Sequence, residues 1–152
     1  MALPRSVTKV TKDGVEFTSN VDRAKFLLTE LQRAALRDVA KLIRKRMIQK
    51  LKTLPGMKRS KRIYSSTQYW VRRRETDLLI GFKHDSWYGA QQELGTKGQP
   101  SRNILRDTVM ENLDDIKRIQ GQYLSAIEEE NKAIGLITAD GEAMYSKGEP
   151  EE

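Results

Sequence analysis

The 152-residue chain contains no cysteine and only one histidine, His84. A chain without cysteine forms no disulfide and offers no thiolate to a metal. A single histidine is too few for a histidine-based zinc site or a catalytic triad. His84 falls in a polar turn and is interpreted as a surface residue. These absences remove most common catalytic and metal-binding arrangements.

Clustered carboxylates, which a magnesium-dependent nuclease requires, are also lacking. Asp114 and Asp115 are adjacent in a predicted helix, where neighbouring side chains point apart. Glu93 has no second titratable group at a matched position, so it lacks the partner that acid–base catalysis needs. We therefore predict that the protein is not an enzyme and has no catalytic residue, no metal site and no cofactor.

The sequence has no run of about 18 apolar residues. Its start, Met1-Ala2-Leu3-Pro4-Arg5, lacks the apolar segment of a signal peptide. We expect a soluble protein made in the cytoplasm, without a membrane partner. A length of 152 residues is enough for one domain with a hydrophobic core and too short for two of ordinary size.

The net charge of +7 is distributed unevenly. Residues 21–74 contain 17 lysines and arginines against three acidic residues, whereas residues 128–152 contain eight acidic residues against two lysines. A basic body with an acidic tail fits contact with nucleic acid, with an acidic protein surface, or between copies of one subunit. The charge alone leaves these three open.

The strongest periodic pattern predicts a long helix over residues 22–53, with Ser19 or Asn20 as its N-cap. Apolar residues recur every three or four positions, so they share one face. They are Leu31, Ala35, Val39, Ile43, Met47, Leu51 and Leu54. At about 1.5 Å per residue the helix would be roughly 48 Å long, more than a small domain usually needs. We expect part of it to project or to pack on a neighbour.

Two groups of basic residues are candidates for contact with DNA or with a neighbouring subunit. One lies on the polar side of the long helix, and the other follows Tyr69 and Trp70. The candidates are Arg37, Lys41, Arg44, Lys45, Arg72, Arg73 and Arg74. A solvated surface is the plainer interpretation of both groups. Aromatic residues interleaved with arginines are also typical of single-stranded nucleic-acid platforms, although Trp70 or Tyr69 packed in the core is the simpler expectation.

The remaining segments complete an α+β fold. Residues 63–72 are rich in β-branched and aromatic residues and are predicted as a strand that pairs with residues 78–83 in a hairpin covering the long helix. A second helix, with Ser101 as its N-cap, is predicted to continue to about Ile127. We therefore expect a long N-terminal helix and a C-terminal helix packed on a small antiparallel sheet, with extended N- and C-terminal arms.

The predicted boundaries are an N-terminal arm at residues 1–20, a single α+β domain at residues 21–131 and an acidic C-terminal tail at residues 132–152. Within the arm, Val15-Glu16-Phe17 alternates as an edge strand does. The tail loses the helical period and is punctuated by glycine, yet five of its residues are apolar enough to suggest docking on another chain. They are Ile134, Leu136, Ile137, Met144 and Tyr145.

The two halves of the sequence meet at Glu93-Leu94-Gly95-Thr96, with Pro100 four residues further on. Glycine permits a positive φ without penalty, and proline suits the extended approach to a helix, so a sharp loop is expected here. Glu93 can cap loop amides with its carboxylate. The preceding residues 88–94 fit either a short helix or a third strand.

This order of elements resembles a family: the small tail-completion or head–tail joining (neck) proteins of long-tailed double-stranded DNA bacteriophages. The likeness covers about residues 20–127, and Glu-x-Gly-Thr is its most specific part. The residues that carry it are Ile80-Gly81, Trp87-Tyr88-Gly89-Ala90, Glu93-Leu94-Gly95-Thr96, Pro100 and Ile104-Leu105.

The resemblance implies a structural virion protein that forms a homo-oligomeric ring, a hexamer, at the head–tail junction and takes part in tail assembly or attachment around the DNA channel. It implies other neck, connector or tail proteins as partners, non-specific contact with double-stranded DNA, and a virion location after synthesis in the host cytoplasm. The residues of its interface or loop motif would be Tyr88, Glu93, Gly95, Thr96 and Pro100. The alternative, from the basic helix and aromatic residues, is a basic nucleic-acid-binding accessory protein.

Overall fold

The computed structural model describes residues 3–54, 61–72, 74–84 and 86–146, with the backbone alone at residues 17, 61, 62 and 140–146. The helices are α1 (Val21–Thr53), α2 (Lys61–Ser65), α3 (Trp87–Leu94), α4 (Ile104–Glu111), α5 (Leu113–Ser125) and α6 (Glu130–Ser146). The strands are β1 (Val7–Val10), β2 (Glu16–Ser19), β3 (Thr67–Val71) and β4 (Leu78–Phe82). The α+β class and the long N-terminal helix are confirmed.

The chain divides into two compact units, one formed by residues 35–121 and the other by residues at both ends of the chain, up to 34 and from 122. Helices α1 and α5 each continue from one unit into the other. The predicted single domain over residues 21–131 stays a prediction.

The unit of residues 35–121 has its own hydrophobic core. Met47 and Leu51 of α1, Ile63 of α2 and Ile104 of α4 are buried together. The partly buried side chains that pack against them are Leu54, Tyr64, Phe82, Tyr88 and Leu105. Burial of one face of α1 follows from its apolar period, as predicted.

The strands of this unit form an antiparallel hairpin, β3 with β4. Thr67 lies opposite Phe82, and Trp70 opposite Leu79. Because successive side chains of a strand point to opposite faces, Thr67 and Phe82 share the core face, whereas Trp70 and Leu79 share the other. The Arg44 guanidinium of α1 donates to the Thr67 carbonyl at 3.0 Å and ties the hairpin to the helix.

The predicted strand over residues 63–72 is wrong in its first part, where α2 forms a short helix and β3 begins only at Thr67. Polar side chains close this helical turn: the Ser66 hydroxyl donates to the Ile63 carbonyl at 2.7 Å, and the Thr67 hydroxyl donates to the Tyr64 carbonyl at 2.9 Å. Such side-chain bonds to the backbone compete with strand pairing. Ile63 is thereby placed in the core.

The predicted second helix is divided in two at Asn112. The Asn112 side-chain amide donates to the Thr108 carbonyl at 2.7 Å, and its backbone N–H reaches Val109 instead, at 3.2 Å. The side chain thus occupies the acceptor that a continuous helix would give to the backbone. The predicted N-cap is also wrong, because α4 begins after Asn103, which has a left-handed conformation with φ of 48°.

Secondary structure forms within both segments that were predicted as extended arms. In the N-terminal segment, β1 pairs antiparallel with β2. Towards the C-terminus, residues 130–146 form α6, so the expectation of an extended arm is wrong there. Ala133 is buried and Ile134 half-buried, and tertiary burial of this kind outweighs the low helix propensity of the glycines. In the same unit, Arg23 of α1 donates to Glu130 of α6 at 2.6 Å.

Across the described parts of the chain, no helix has both the length and the apolarity needed to cross a lipid bilayer.

Candidate interaction surface

The junction between α3 and α4 is held by the Glu93 carboxylate. Both of its oxygens lie 3.0 Å from the backbone nitrogen of Leu105, and Oε1 also accepts from the nitrogen of Arg106 at 3.2 Å. These amides lie in the first turn of α4, where helical N–H groups have no acceptor within the helix. The sequence suggested capping of loop amides, and the amides that Glu93 caps are instead those of α4. A negative charge there also suits the positive end of the helix dipole.

The loop between the two helices makes a tight turn at Gly95 and Thr96. Gly95 has φ of 80°, and a Cβ at this position would lie 2.7 Å from the backbone nitrogen of Ser101. Thr96 and Gln99 exchange two backbone hydrogen bonds, at 2.8 and 3.1 Å. Pro100, which follows, is exposed. Only glycine combines this φ with such a close approach, so the Glu-x-Gly-Thr motif builds a tight turn.

The inner side of α3 packs on the core. Tyr88 packs against the hydrophobic cluster. Gly89 is buried beneath the Phe82 ring of β4, where an added Cβ would lie 2.7 Å from a ring carbon. Residues 88–94, which fitted either a helix or a strand, are therefore a helix seated on the core face of the hairpin. Of the predicted interface residues, Tyr88 and Glu93 serve the internal structure.

The outer side of α3 carries an apolar stripe that sequence reasoning missed. Trp87 is 66% exposed and Leu94 is 78% exposed. Ala90, between them, is also exposed. Positions i, i+3 and i+7 fall on one side of a helix, so we call Trp87, Ala90 and Leu94 the α3 stripe. The spacing was present in the sequence, but it had meaning only once residues 87–94 were known to be helical.

A second apolar patch lies on the outer face of the β3–β4 hairpin. Trp70 is 68% exposed and its cross-strand partner Leu79 is 47% exposed. Of the two residues expected in the core, Trp70 or Tyr69, Trp70 is exposed because its strand register turns it away from Phe82, whereas Tyr69 is half-buried. We call Trp70 and Leu79 the sheet patch. Exposed tryptophans are enriched at the centres of protein interfaces.

Most basic candidates already have partners within the chain. Lys41 lies 3.3 Å from Asp38, and Arg44 binds the Thr67 carbonyl. Arg37 is half-buried and also has an interaction within the chain. Lys45 and Arg74 are exposed, and Arg73 lies outside the described residues. The long helix therefore presents less basic surface than its sequence suggested.

Arg72 continues the hairpin beyond the sheet patch and is paired with acidic residues. Its Nε donates to Asp77 Oδ1 at 2.7 Å, and the guanidinium also contacts Glu75. The hydrogen bond from Arg72 lowers the pKa of the Asp77 carboxyl below its usual range, and partial desolvation opposes it. The same hydrogen bond raises the pKa of Arg72. The positive charge of Arg72 is therefore balanced by the negative charges of Asp77 and Glu75.

The other unit contains a groove of about 370 Å³. It is lined by apolar residues such as Leu28 and Ile127 and by the ion pair of Arg23 with Glu130. Among the residues that the structure describes, no group of three histidine, cysteine or acidic side chains is placed to bind a metal ion.

Comparison of this chain with models of protein families, with characterised proteins and with solved structures found no match.

Proposed function

We propose that this chain is a structural virion protein of a long-tailed double-stranded DNA bacteriophage. It forms a homo-oligomeric ring, a hexamer by resemblance, at the head–tail junction. There it takes part in completing the tail or attaching it to the head around the DNA channel. Other neck, connector or tail proteins are its proposed neighbours, and the function is assembly without chemistry.

The observation that carries the proposal is the arrangement of the motif residues. The Glu93 cap and the tight turn at Gly95 fix the positions of α3, the loop and α4 relative to one another. The side of α3 that faces away from the core is an exposed apolar stripe. A small domain that fixes an uncharged helix face towards solvent is suited to packing against other subunits. Enzymatic activity has no comparable support, because Glu93 is engaged in capping a helix.

A second candidate function is favoured by Trp70. Its ring is 68% exposed, and the exposed Arg74 follows four residues later. Single-stranded nucleic-acid platforms are built from exposed aromatic rings and cations. Against this candidate, Arg72 is engaged with acidic residues, and the hairpin presents one exposed tryptophan where such platforms use several aromatic rings.

Sedimentation of the purified full chain separates the two functions. It should be measured with and without double-stranded DNA, at low and high salt. The ring proposal expects an oligomer that forms without DNA and persists at both salt concentrations. A monomer that binds DNA tightly at low salt and is released at high salt would favour the accessory function, since release of counterions makes such binding salt-dependent.

Assembly of phage particles in the absence of this protein tests the biological role. Electron micrographs should then contain heads and tails that accumulate separately. Normal infectious particles would exclude the joining function, and complementation by the intact gene provides the control.

A further inference from the structure

The unit of residues 35–121 exposes two apolar patches on different sides. The sheet patch, Trp70 and Leu79, points away from the core face of the hairpin. Helix α3 packs on that core face, with Gly89 against the Phe82 ring, and its stripe faces outward beyond it. The same hairpin therefore lies between the two patches, and neither patch can cover the other within one molecule.

Both patches are uncharged. The α3 stripe consists of Trp87, Ala90 and Leu94. On the hairpin, the nearest cation along β3 is Arg72, whose charge is matched by Asp77 and Glu75. The residues of the two patches carry no charge, so docking one patch on the other avoids the desolvation cost of burying a charged side chain from either patch.

We propose that the α3 stripe of one copy docks on the sheet patch of the next copy. The proposal rests on the proposed function and specifies its subunit interface. A contact between two different surfaces of identical chains is heterologous: every copy offers both halves, so association continues until a ring closes or a filament grows. A closed twofold dimer would need the stripe and the sheet patch of each copy in one interface, and patches on different sides of a hairpin do not meet this condition.

The size of the patches agrees with a role at the centre of an interface. A tryptophan side chain contributes about 150–250 Å² of contact area, so one that is two-thirds exposed leaves roughly 100–170 Å² uncovered. A stable interface buries about 800 Å² per partner. The patches therefore supply the apolar centre, and polar residues around them supply the rim.

Two lysine substitutions test the two halves separately. Leu94→Lys places a charge in the α3 stripe, at a helix C-terminus where a cation suits the helix dipole. Leu79→Lys places one in the sheet patch. Each should raise the dissociation constant of the oligomer by roughly 30-fold or more, the effect typical of residues at an interface centre. Met110→Lys, at a position of α4 that is 60% exposed, is the matched control and should assemble as the unmodified chain does.

Mixing the two variants identifies the pairing. The Leu94→Lys copy retains an intact sheet patch and the Leu79→Lys copy an intact α3 stripe, so an equimolar mixture should give a capped dimer that neither variant forms alone. Sedimentation velocity measures this, and circular dichroism checks that each variant is folded. If either variant alone forms a dimer, or the mixture stays monomeric, the heterologous pairing is wrong.

The unmodified chain distinguishes failure of this inference from failure of the ring proposal. If it forms an oligomer that both lysine variants also form, the ring survives and the assigned interface is wrong. If it remains monomeric at every concentration, the ring proposal and the interface that rests on it are both rejected.

Discussion

The Glu93 carboxylate accepts hydrogen bonds from the backbone nitrogens of Leu105 and Arg106 at the start of α4. Glu93→Ala should lower the free energy of unfolding by about 1–2 kcal/mol, the usual cost of a lost helix cap. In a chain of this length that corresponds to a fall in melting temperature of roughly 2–8 °C. Glu93→Gln keeps an acceptor without the charge and should lose less.

Thermal unfolding of the variants, followed by circular dichroism, measures the effect. Glu128→Ala removes an exposed glutamate outside the helices and serves as the control, with little expected change. A loss in Glu93→Ala no larger than the loss in Glu128→Ala would mean that the cap contributes nothing measurable to stability.

The ion pair of Arg72 with Asp77 predicts a pH dependence. Because its folded-state pKa is lowered, chiefly by the hydrogen bond from Arg72, Asp77 stabilises the fold at pH values above its unfolded pKa of about 3.9. That stability is lost as the pH falls through the folded pKa, where the unfolded state binds more protons. Asp77→Asn should therefore flatten the fall of unfolding free energy with acidification below about pH 4.

Denaturant unfolding between neutral and acidic pH measures this slope. In a chain that already carries Arg72→Gln, the partner is absent and Asp77→Asn should change the slope much less. If the change is the same in both backgrounds, Arg72 is not the cause of the pH dependence. High salt should reduce the effect, because the pair is partly exposed.

At the scale of elements, the sequence predicted those whose side-chain period is long and regular. Helix α1 was placed within one residue of its ends, because seven apolar positions repeat every three or four residues from Leu31 to Leu54 and no proline or glycine interrupts residues 22–53. The β3–β4 hairpin was predicted from β-branched and aromatic residues before a polar turn and a short apolar run after it. Elements set by single hydrogen bonds were not predictable in this way.

Helix α2 and the break at Asn112 are examples. The β-propensity of Ile63 and Tyr64 favours a strand, whereas hydroxyl bonds from Ser66 and Thr67 select a helical turn. Nothing in the apolar period records the bond from Asn112 to the Thr108 carbonyl. Helix α6 depends on burial of Ala133, which is a tertiary effect.

In the candidate site, too, some residues could be predicted from the sequence and others could not. The sequence identified Glu93 as a capping residue, although for loop amides rather than for those of α4, and Gly95 as part of a sharp turn, because a positive φ restricts the residue type. It did not identify Trp87, Leu94 or Trp70 as exposed. Whether an apolar residue faces the core or solvent depends on the element type and the strand register, and neither was settled by residue type alone.

The two hairpins should differ in local stability. Both hairpins have two strands, but all residues of β1 are exposed, whereas Phe82 of the β3–β4 hairpin packs against the core cluster. An isolated two-stranded hairpin is marginally stable in water. In the dilute chain, the amide of Thr11, bonded to Val15, should therefore exchange with solvent faster, relative to its intrinsic rate, than that of Lys83, bonded to Ser66.

Hydrogen exchange followed by NMR compares the two amides directly. The Arg72 amide, bonded to Asp77 in the stable hairpin, provides a second reference. Equal protection of Thr11 and Lys83 would mean that β1 and β2 are shielded from solvent. If the protection of Thr11 increases with protein concentration, the shielding comes from another copy of the chain.

At the scale of the whole molecule, the resemblance favours an assembly function, whereas the net charge favours contact with DNA. The basic segment suggested contact with DNA, but Arg44 and Arg72 are occupied within the chain. Lys45 and Arg74 stay exposed, and the same unit also exposes apolar surface at Trp70, Trp87 and Leu94. Exposed apolar surface favours protein partners over phosphate, which is why assembly is the function that we propose.

The division into two units predicts an independently folding fragment. Residues 35–121 are continuous in sequence and contain every residue of the core cluster of Met47, Leu51, Ile63 and Ile104. A core contributed by one continuous segment requires no other part of the chain, so this fragment should unfold in a single cooperative thermal transition.

The matched control is a fragment of residues 35–103, which ends before Ile104 and lacks the amides that Glu93 caps. This shorter fragment should have no cooperative transition. Removal of Ile104 and its helix is expected to cost more than the whole free energy of unfolding of a fragment of this size. Circular dichroism and dispersion of amide resonances measure both fragments. If residues 35–121 also lack a transition, the core depends on segments outside it, and the chain folds as one unit whose boundaries are those of the predicted domain at residues 21–131 or wider.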